Sequence, residues 1–314
     1  MSDAGKDGAV APYAALALQM RCHAVNDCAT ADQARARIRA SIERCDRQIR
    51  GSMGFIKTYS GDVTRLVVLP EYFLTGYPRG ENPAQWRAKA CLHPDGAEYE
   101  LLGECARANG VYLSGNAYET DDHFPDLHFQ CSFIIDPSGK LILRYRRQIS
   151  MFAPTPHDVL ARYLEVYGAD ALYPVAETAI GRLACVASEE ILYPEISTEL
   201  ARRGAEVICH SSSEQGSPQL TPKNIAKRAR AFENQVYVVS ANSAGIAGPG
   251  FPQDSTDGHS QVVDYKGVLL AEAAFGESMC GFAEIDIEAL RRQRGKTAML
   301  NLPARRRVLR GTVS

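Results

Sequence analysis

An α/β fold is predicted by three features of this sequence. Short apolar runs of β type alternate with charged stretches of helical spacing. Turn signals join neighbouring strands as hairpins, while helices link others as crossovers, and both occur in each half. No low-complexity linker or shift of composition divides the 314 residues, which are 45% hydrophobic. That is enough for one large core. Two stacked sheets with helices outside would accommodate this mixture, although periodicity alone does not fix it.

The elements follow in order. Ala14-Leu18 reads as a first strand, and Ala31-Arg50 as a charged amphipathic helix. Arg65-Leu69 is a short strand, apolar from Leu66 onward, that Pro70-Glu71 ends. Tyr99-Asn109 reads as a helix, with strands at Val111-Tyr118 and Phe129-Ile135. Asp136-Pro137-Ser138-Gly139 is a turn into the strand Lys140-Tyr145. Leu183-Ala187 and Glu206-His210 are strands on either side of a helix at Tyr193-Arg203. Pro222-Asn234 is a helix and Val236-Ala241 a strand. Gln261-Asp264 and Val268-Ala273 pair across Tyr265-Lys266-Gly267, Phe282-Ile285 closes the sheet, and Glu288-Gln293 opens a basic tail. Residues 1–11 are expected to be a flexible N-terminus, 12–290 a single domain and 291–314 the tail.

Composition excludes several function classes. A net charge of −2 and a pI near 6.4 give no electrostatic case for nucleic acid. No apolar run reaches the roughly 18 residues of a membrane helix. The polar stretch Met1-Gly8 lacks the apolar centre of a signal peptide. Nine cysteines stand singly, without a C-x-x-C pair, so neither a disulfide framework nor a zinc cage is expected. A reducing cytoplasm is the expected compartment. The seven histidines have no metal-ligand spacing, and Ala244-Gly250 lacks a phosphate-cradle lysine, so no metal or cofactor is expected.

Chemistry concentrates where the apolar strand Leu183-Ala187 runs into a sharp bend at Ser188, ahead of a helix. A residue at such a bend is held out of the sheet with free backbone N–H groups beside it, which suits a nucleophile. Three segments then resemble one family. Leu69-Pro70-Glu71-Tyr72-Phe73-Leu74-Thr75-Gly76-Tyr77 is similar to the glutamate motif of the nitrilase superfamily of carbon–nitrogen hydrolases. Ser138-Arg147 is similar to its lysine motif, and Ser188-Glu195 to its cysteine motif. Arg228-Asn242 resembles the family's late helix and strand. Order and spacing agree from about residue 12 to residue 290.

The resemblance implies a four-layer αββα sandwich, a homodimer or higher homo-oligomer, and a Glu–Lys–Cys triad attacking a nitrile or amide carbon. The tail 291–314 would then pack on a partner subunit. Carried over by position, Glu71 matches, Arg147 stands at the lysine position and Ser188 at the cysteine position, six residues before Pro194. Thr155 occupies the place of a second family glutamate. The departures change the chemistry. A cysteine has a pKa of about 8.5, whereas a serine hydroxyl needs an adjacent base. Glu71 is that base only if burial raises its pKa. Arginine does not exchange a proton as lysine does, but it stabilises an oxyanion or clamps a carboxylate. A direct Glu71–Arg147 ion pair would push the Glu71 pKa down. Cys185, three residues before Ser188, alternates to the opposite face and reads as a core cysteine.

Tyr77 from the glutamate motif, and Met151, Phe152 and His157 from the stiff segment Ser150-Asp158, are candidate pocket residues. Glu189, Ser212 and Glu214 are further candidates, the last two because the strand carrying His210 ends towards the pocket in the resembled family. Glu189 and Glu190 also suit the positive end of the following helix. Three functions stay open. The first is hydrolysis of a C–N bond in a small molecule, carboxylate-bearing in one version, with Ser188 as nucleophile, Glu71 as base and acid, and Arg147 as oxyanion partner. The second is a non-covalent lyase or cyclase built on Glu71. The third is a non-catalytic binding or scaffold protein.

Overall fold

The computed structural model describes residues 9–215, 220–251, 256–279 and 281–310, with side chains to residue 306. The expectation for residues 1–11 therefore lies mostly outside the described residues, as does Cys280. Fifteen strands and eight α-helices occur among those described. The first half holds β1 (Tyr13–Ala17), β2 (Cys22–His23), α1 (Ala31–Ser60), β3 (Thr64–Val68), α2 (Pro83–Ala90), β4 (Cys91–Leu92), α3 (Ala97–Asn109), β5 (Tyr112–Thr120), β6 (His128–Ile135) and β7 (Leu141–Arg146). After α4 (Leu160–Tyr167) come β8 (Ala176–Thr178), β9 (Gly181–Ala187), α5 (Pro194–Arg202), β10 (Val207–Ser212), α6 (Pro222–Asn234) and β11 (Tyr237–Asn242). The chain ends with β12 (Ile246–Ala247), β13 (Gln261–Val263), β14 (Leu269–Glu272), β15 (Phe282–Ile285), α7 (Ile287–Arg294) and α8 (Leu302–Arg310).

Two mixed sheets result. One has the order β15-β1-β3-β5-β6-β7, with β4 beside β5, and the other β14-β13-β11-β10-β9-β8. Each has a parallel centre, β1-β3-β5 and β9-β10-β11, and antiparallel flanks. The pleat sorts the core. Ala15, Ala17, Leu66 and Val68 face the second sheet, while Ala14, Leu16, Val67 and Leu69 face α1 and α3. On the far side, Ile196 and Leu200 of α5 and Ala226 and Ala231 of α6 cover the second sheet. The layers are thus helix, sheet, sheet, helix, the αββα sandwich expected. No helix among the described residues is long and apolar enough to cross a membrane.

Several elements differ from expectation. α1 runs ten residues past Arg50, because its buried stripe of Ile38, Ile42, Cys45, Ile49, Ser52 and Ile56 continues across Gly51 and Gly54. A side chain at either glycine would meet no atom within 4 Å, so neither marks a close approach, and the helix stops only at Gly61 with φ 80°. α2 and α4 have no counterpart among the expected elements. The helix expected to start at Tyr193 is preceded by a 3-10 turn over Ser188–Leu192. Pro194 then occupies the first turn of α5, a position where its missing N–H costs nothing. The expected boundary at residue 290 falls inside α7, whose Ile287 and Leu290 are buried in the intersheet core.

Candidate functional site

The site forms at the carboxyl ends of parallel strands, where side chains leave the sheets and loops diverge. Glu71 follows β3, Ser188 follows β9, and Ser212 ends β10. Two bonds fasten the sheets together here: Ser211 Oγ donates to the Leu69 carbonyl (2.8 Å), and the Glu71 amide donates to the Ser212 carbonyl (3.2 Å). Arg147 leaves the end of β7. The backbone is strained on both sides of the site. Tyr72 (φ 62°) and Ser188 (φ 50°) are two of four non-glycine residues with positive φ among those described.

Glu71 is completely buried (0% exposed), and Arg147 nearly so (2%). Arg147 Nη1 donates to Glu71 Oε1 (2.8 Å) and to Gln130 Oε1 (2.6 Å), and its Nε donates to the Ile149 carbonyl (3.1 Å). Gln130 Nε2 also donates to Glu71 Oε1 (2.8 Å). Arg147 Nη2 sits 2.5 Å from Glu189 Oε2 as an ion pair, without the alignment of a hydrogen bond. The anticipated ion pair therefore forms and pulls the Glu71 pKa down as expected, but burial outweighs it. Burial raises the Glu71 pKa by more than Arg147 and Lys223 lower it. Glu71 Oε2 is buried and has no hydrogen-bond partner.

Arg147 is no stray member of a basic run. Arg144 pairs with buried Glu119 (2.6 Å), and Arg146 pairs with Asp121. Each arginine of Arg144-Tyr145-Arg146-Arg147 thus answers a carboxylate of its own.

Ser188 is 7% exposed. Its strained turn is held by two buried groups. His210 Nε2 donates to the Ser188 carbonyl (2.9 Å), while Nδ1 meets Ser240 Oγ (2.9 Å). Burial, with the Lys227 ammonium beyond it, lowers the His210 pKa to about 3, so the ring is neutral. Glu190 accepts from Ala187 N (3.0 Å), Gln148 N (2.7 Å) and Tyr145 Oη (2.8 Å). It ties the end of β9 to the segment that carries Arg147. Burial raises its pKa to about 7, although Arg147 pulls the other way. Glu190 is therefore an internal anchor and also an acid at the start of the 3-10 turn over Ser188–Leu192, while the acidic residue in the first turn of α5 is Glu195.

Among the described residues, Ser188 Oγ accepts from Lys223 Nζ (3.4 Å), a residue that sequence reasoning missed. Lys223 Nζ is also 3.4 Å from Glu214 Oε2, and Lys227 Nζ donates to Glu214 Oε1 (3.0 Å). Ser212 Oγ donates to the same oxygen (3.1 Å). Burial alone would raise the Glu214 pKa, but the two ammonium groups outweigh it and hold the carboxyl low. The available signal was positional: Lys223 opens the helix that follows β10, so it emerges at the same strand ends as Ser188.

The other expected pocket residues divide. Tyr77 and Phe152 stack on each other (centroids 5.1 Å), and Tyr77 also meets Tyr72, next to Glu71. Met151 is 83% exposed and His157 is exposed, so neither joins the cluster. Asp158 accepts from Thr155 N (2.7 Å) and Thr155 Oγ1 (2.9 Å), so the position of the second family glutamate is used to close a local turn. Cys185 lies in the intersheet core, 3.6 Å from Ser114 Oγ, with burial raising its pKa. No group of three or more histidine, cysteine or acidic side chains among the described residues is set to hold a metal.

Known proteins resemble this chain in sequence and in fold. The sequence profile described as carbon-nitrogen hydrolase matches residues 28–294. A deaminated glutathione amidase of Yersinia enterocolitica is 30% identical over 66% of the chain and 71% of its own length. The nitrilase and fragile histidine triad fusion protein NitFhit of Caenorhabditis elegans is 29% identical over 77% of the chain, which spans only about half (54%) of that relative. Among solved structures, Nit3 of Saccharomyces cerevisiae, a member of branch 10 of the nitrilase superfamily, superposes with a TM-score of 0.68 at 23% identity. That match covers 94% of this chain and 99% of the other, and bears on the fold.

Proposed function

The chain belongs to the carbon–nitrogen hydrolase family of the nitrilase superfamily, and on that premise we propose that it hydrolyses an amide bond of a small molecule through an acyl-Ser188 intermediate. The observation that carries this reading is Glu71: a fully buried carboxylate whose Oε2 has no partner and whose pKa burial has raised. Such a group is suited to take a proton near neutrality and return it. In this reading Glu71 accepts the Ser188 proton, Ser188 Oγ attacks the carbonyl carbon, and Arg147 Nη2 faces the developing negative charge. Glu71 then protonates the departing amine, and water repeats the sequence to release the acid.

Recognition of a substrate carboxylate by Arg147 has less support, because Glu71, Gln130, Glu189 and the Ile149 carbonyl already surround the guanidinium. The same crowding favours the binding-only reading, in which Arg147 serves to neutralise buried acids. Mass spectrometry of acid-quenched reactions with a panel of amides and activated esters separates the readings. The proposal expects an acyl adduct on Ser188 that Ser188→Ala abolishes. Turnover persisting in Ser188→Ala would support non-covalent chemistry at Glu71, and no turnover or adduct with any substrate would support binding alone.

A further inference from the structure

We infer that Lys223 is a catalytic cation for Ser188, restoring from α6 the ammonium charge that the motif position occupied by Arg147 lacks, and that Glu214 positions it. This inference rests on the Ser188 reading above.

The geometry is specific. Lys223 Nζ lies 3.4 Å from Ser188 Oγ and 3.4 Å from Glu214 Oε2, with most of its side chain covered. Its charge reaches Glu71 as well, where it acts beside Arg147 to favour the carboxylate. Neutralising Glu214 does not by itself require Lys223. Lys227, which is buried, already donates to Glu214 Oε1 and to Asn224 Oδ1, both at 3.0 Å. A second ammonium beside one carboxylate is left facing the serine. Its location also runs against local preference. Lys223 lies in the first turn of α6, which has no acidic residue, and there a cation meets the positive end of the helix. That placement runs counter to the helix dipole, and departures from local rules gather at functional sites.

The chemistry follows from donor and acceptor inventories. A protonated lysine donates and does not accept, so Ser188 Oγ accepts from Lys223 and its own hydrogen is directed elsewhere. In the acylation step the Oγ–H proton passes to Glu71, the Oγ–C bond forms, and the carbonyl π pair moves onto oxygen. Collapse of the tetrahedral species breaks the C–N bond, and the proton on Glu71 goes to the amine. Lys223 transfers no proton. It holds Oγ in line and stabilises the partial negative charge that Oγ carries while its proton leaves for Glu71, which matters more for an oxygen nucleophile than for a more acidic sulfur. Glu214 fixes the ammonium from the opposite side.

Burst kinetics with p-nitrophenyl acetate, together with mass spectrometry of the quenched full-length protein, test this. In Lys223→Ala the acylation rate constant is expected to fall about 10²–10³-fold, the range for loss of one charge-stabilising donor, with an unchanged circular dichroism spectrum. Added ethylammonium should restore part of the burst in Lys223→Ala and none in Ser188→Ala; the burst is read because an amine also attacks the acyl-enzyme. Glu214→Gln should slow acylation by roughly 10-fold, as expected for a positioning group. Lys223→Met supplies the same comparison if the alanine variant misfolds. Acylation of Lys223→Ala or Lys223→Met at the wild-type rate, or absence of rescue by the amine, overturns the role of Lys223 and leaves Ser188 as nucleophile. Absence of any Ser188 adduct in the wild type overturns both.

Discussion

Glu71 and His210 are buried ionisable residues in opposite conditions. Glu71 carries a pKa raised by burial, and its Oε2 has no partner to lose. A glutamine there keeps an oxygen for Gln130 and Arg147 while removing the base. Glu71→Gln is therefore expected to lower acylation by about 10²–10⁴-fold while destabilising the fold by about 1–3 kcal/mol, because buried Arg147 loses a charged partner but keeps a hydrogen-bond acceptor, as urea titration would read. His210 is held neutral, with its pKa lowered to about 3. The unfolded chain binds a proton at this residue below about pH 6.5, and the folded chain does not. Its contribution is thus intact above that pH and is lost as pH falls towards 3, at about 1.4 kcal/mol per pH unit. Glu190, raised to about 7, acts with the opposite sign. The folded state retains its proton longer than the unfolded state, so this residue disfavours folding progressively as pH rises from about 4.5 to 7. Comparing urea midpoints of wild type and His210→Gln at about pH 7.5 and about pH 5, on either side of the unfolded histidine's pKa, isolates the histidine: the gap between the two proteins should change in the variant's favour on acidification. That Glu71, Arg147 and Ser188 stand at strand ends was legible from motif order. Lys223 was not, because its partner Ser188 lies 35 residues away and no short-range pattern links them.

At the level of elements, the long regular pieces were readable and the short ones were not. β1, β3, β5, β6 and β9–β11 have apolar runs too short for helices and bounded by turn residues. α3 and α6 show helical spacing with readable ends. α2 escaped because eight mixed residues around Trp86 carry little periodicity, although its start is written as a capping box between Asn82 and Gln85 with Pro83 in the first turn. The bend after β9 falls where expected, but the 3-10 turn that fills it depends on Glu190 reaching Ala187, Gln148 and Tyr145. The bonds to Gln148 and Tyr145 are tertiary, 42 and 45 residues apart, and leave no local trace; only the one to Ala187 is local. The caps of α1 give a direct check. Thr30 Oγ1 accepts from Gln33 N (3.2 Å), so Thr30→Ala should cost about 1 kcal/mol, lowering the urea midpoint with an unchanged m-value.

For the molecule as a whole, the C-terminal residues behave as part of the sandwich. Arg291 pairs with Glu206 (2.7 Å), Arg294 donates to the carbonyls of Ala205 (2.7 Å) and Gln235 (3.0 Å), and Arg306 donates to Asn234 Oδ1 (2.9 Å). A chain ending at residue 290 should therefore unfold at lower urea concentration than the full chain; an equal midpoint would assign these contacts no share in stability. The sequence indicated a basic tail and, by resemblance, packing on a partner subunit; its contacts within the chain were not legible, since Arg294 finds its acceptors in backbone carbonyls 59 and 89 residues away.

The eight cysteines described are all reduced and buried, and the bend after β9 carries a hydroxyl. Sulfur at that bend would be open to peroxide, advancing through sulfenic to sulfinic acid and silencing the centre. Oxygen has no such ladder. On the proposed reading, a hydrolase built on Ser188 would give up intrinsic nucleophilicity and in exchange would tolerate oxidants and alkylating agents that inactivate a thiolate.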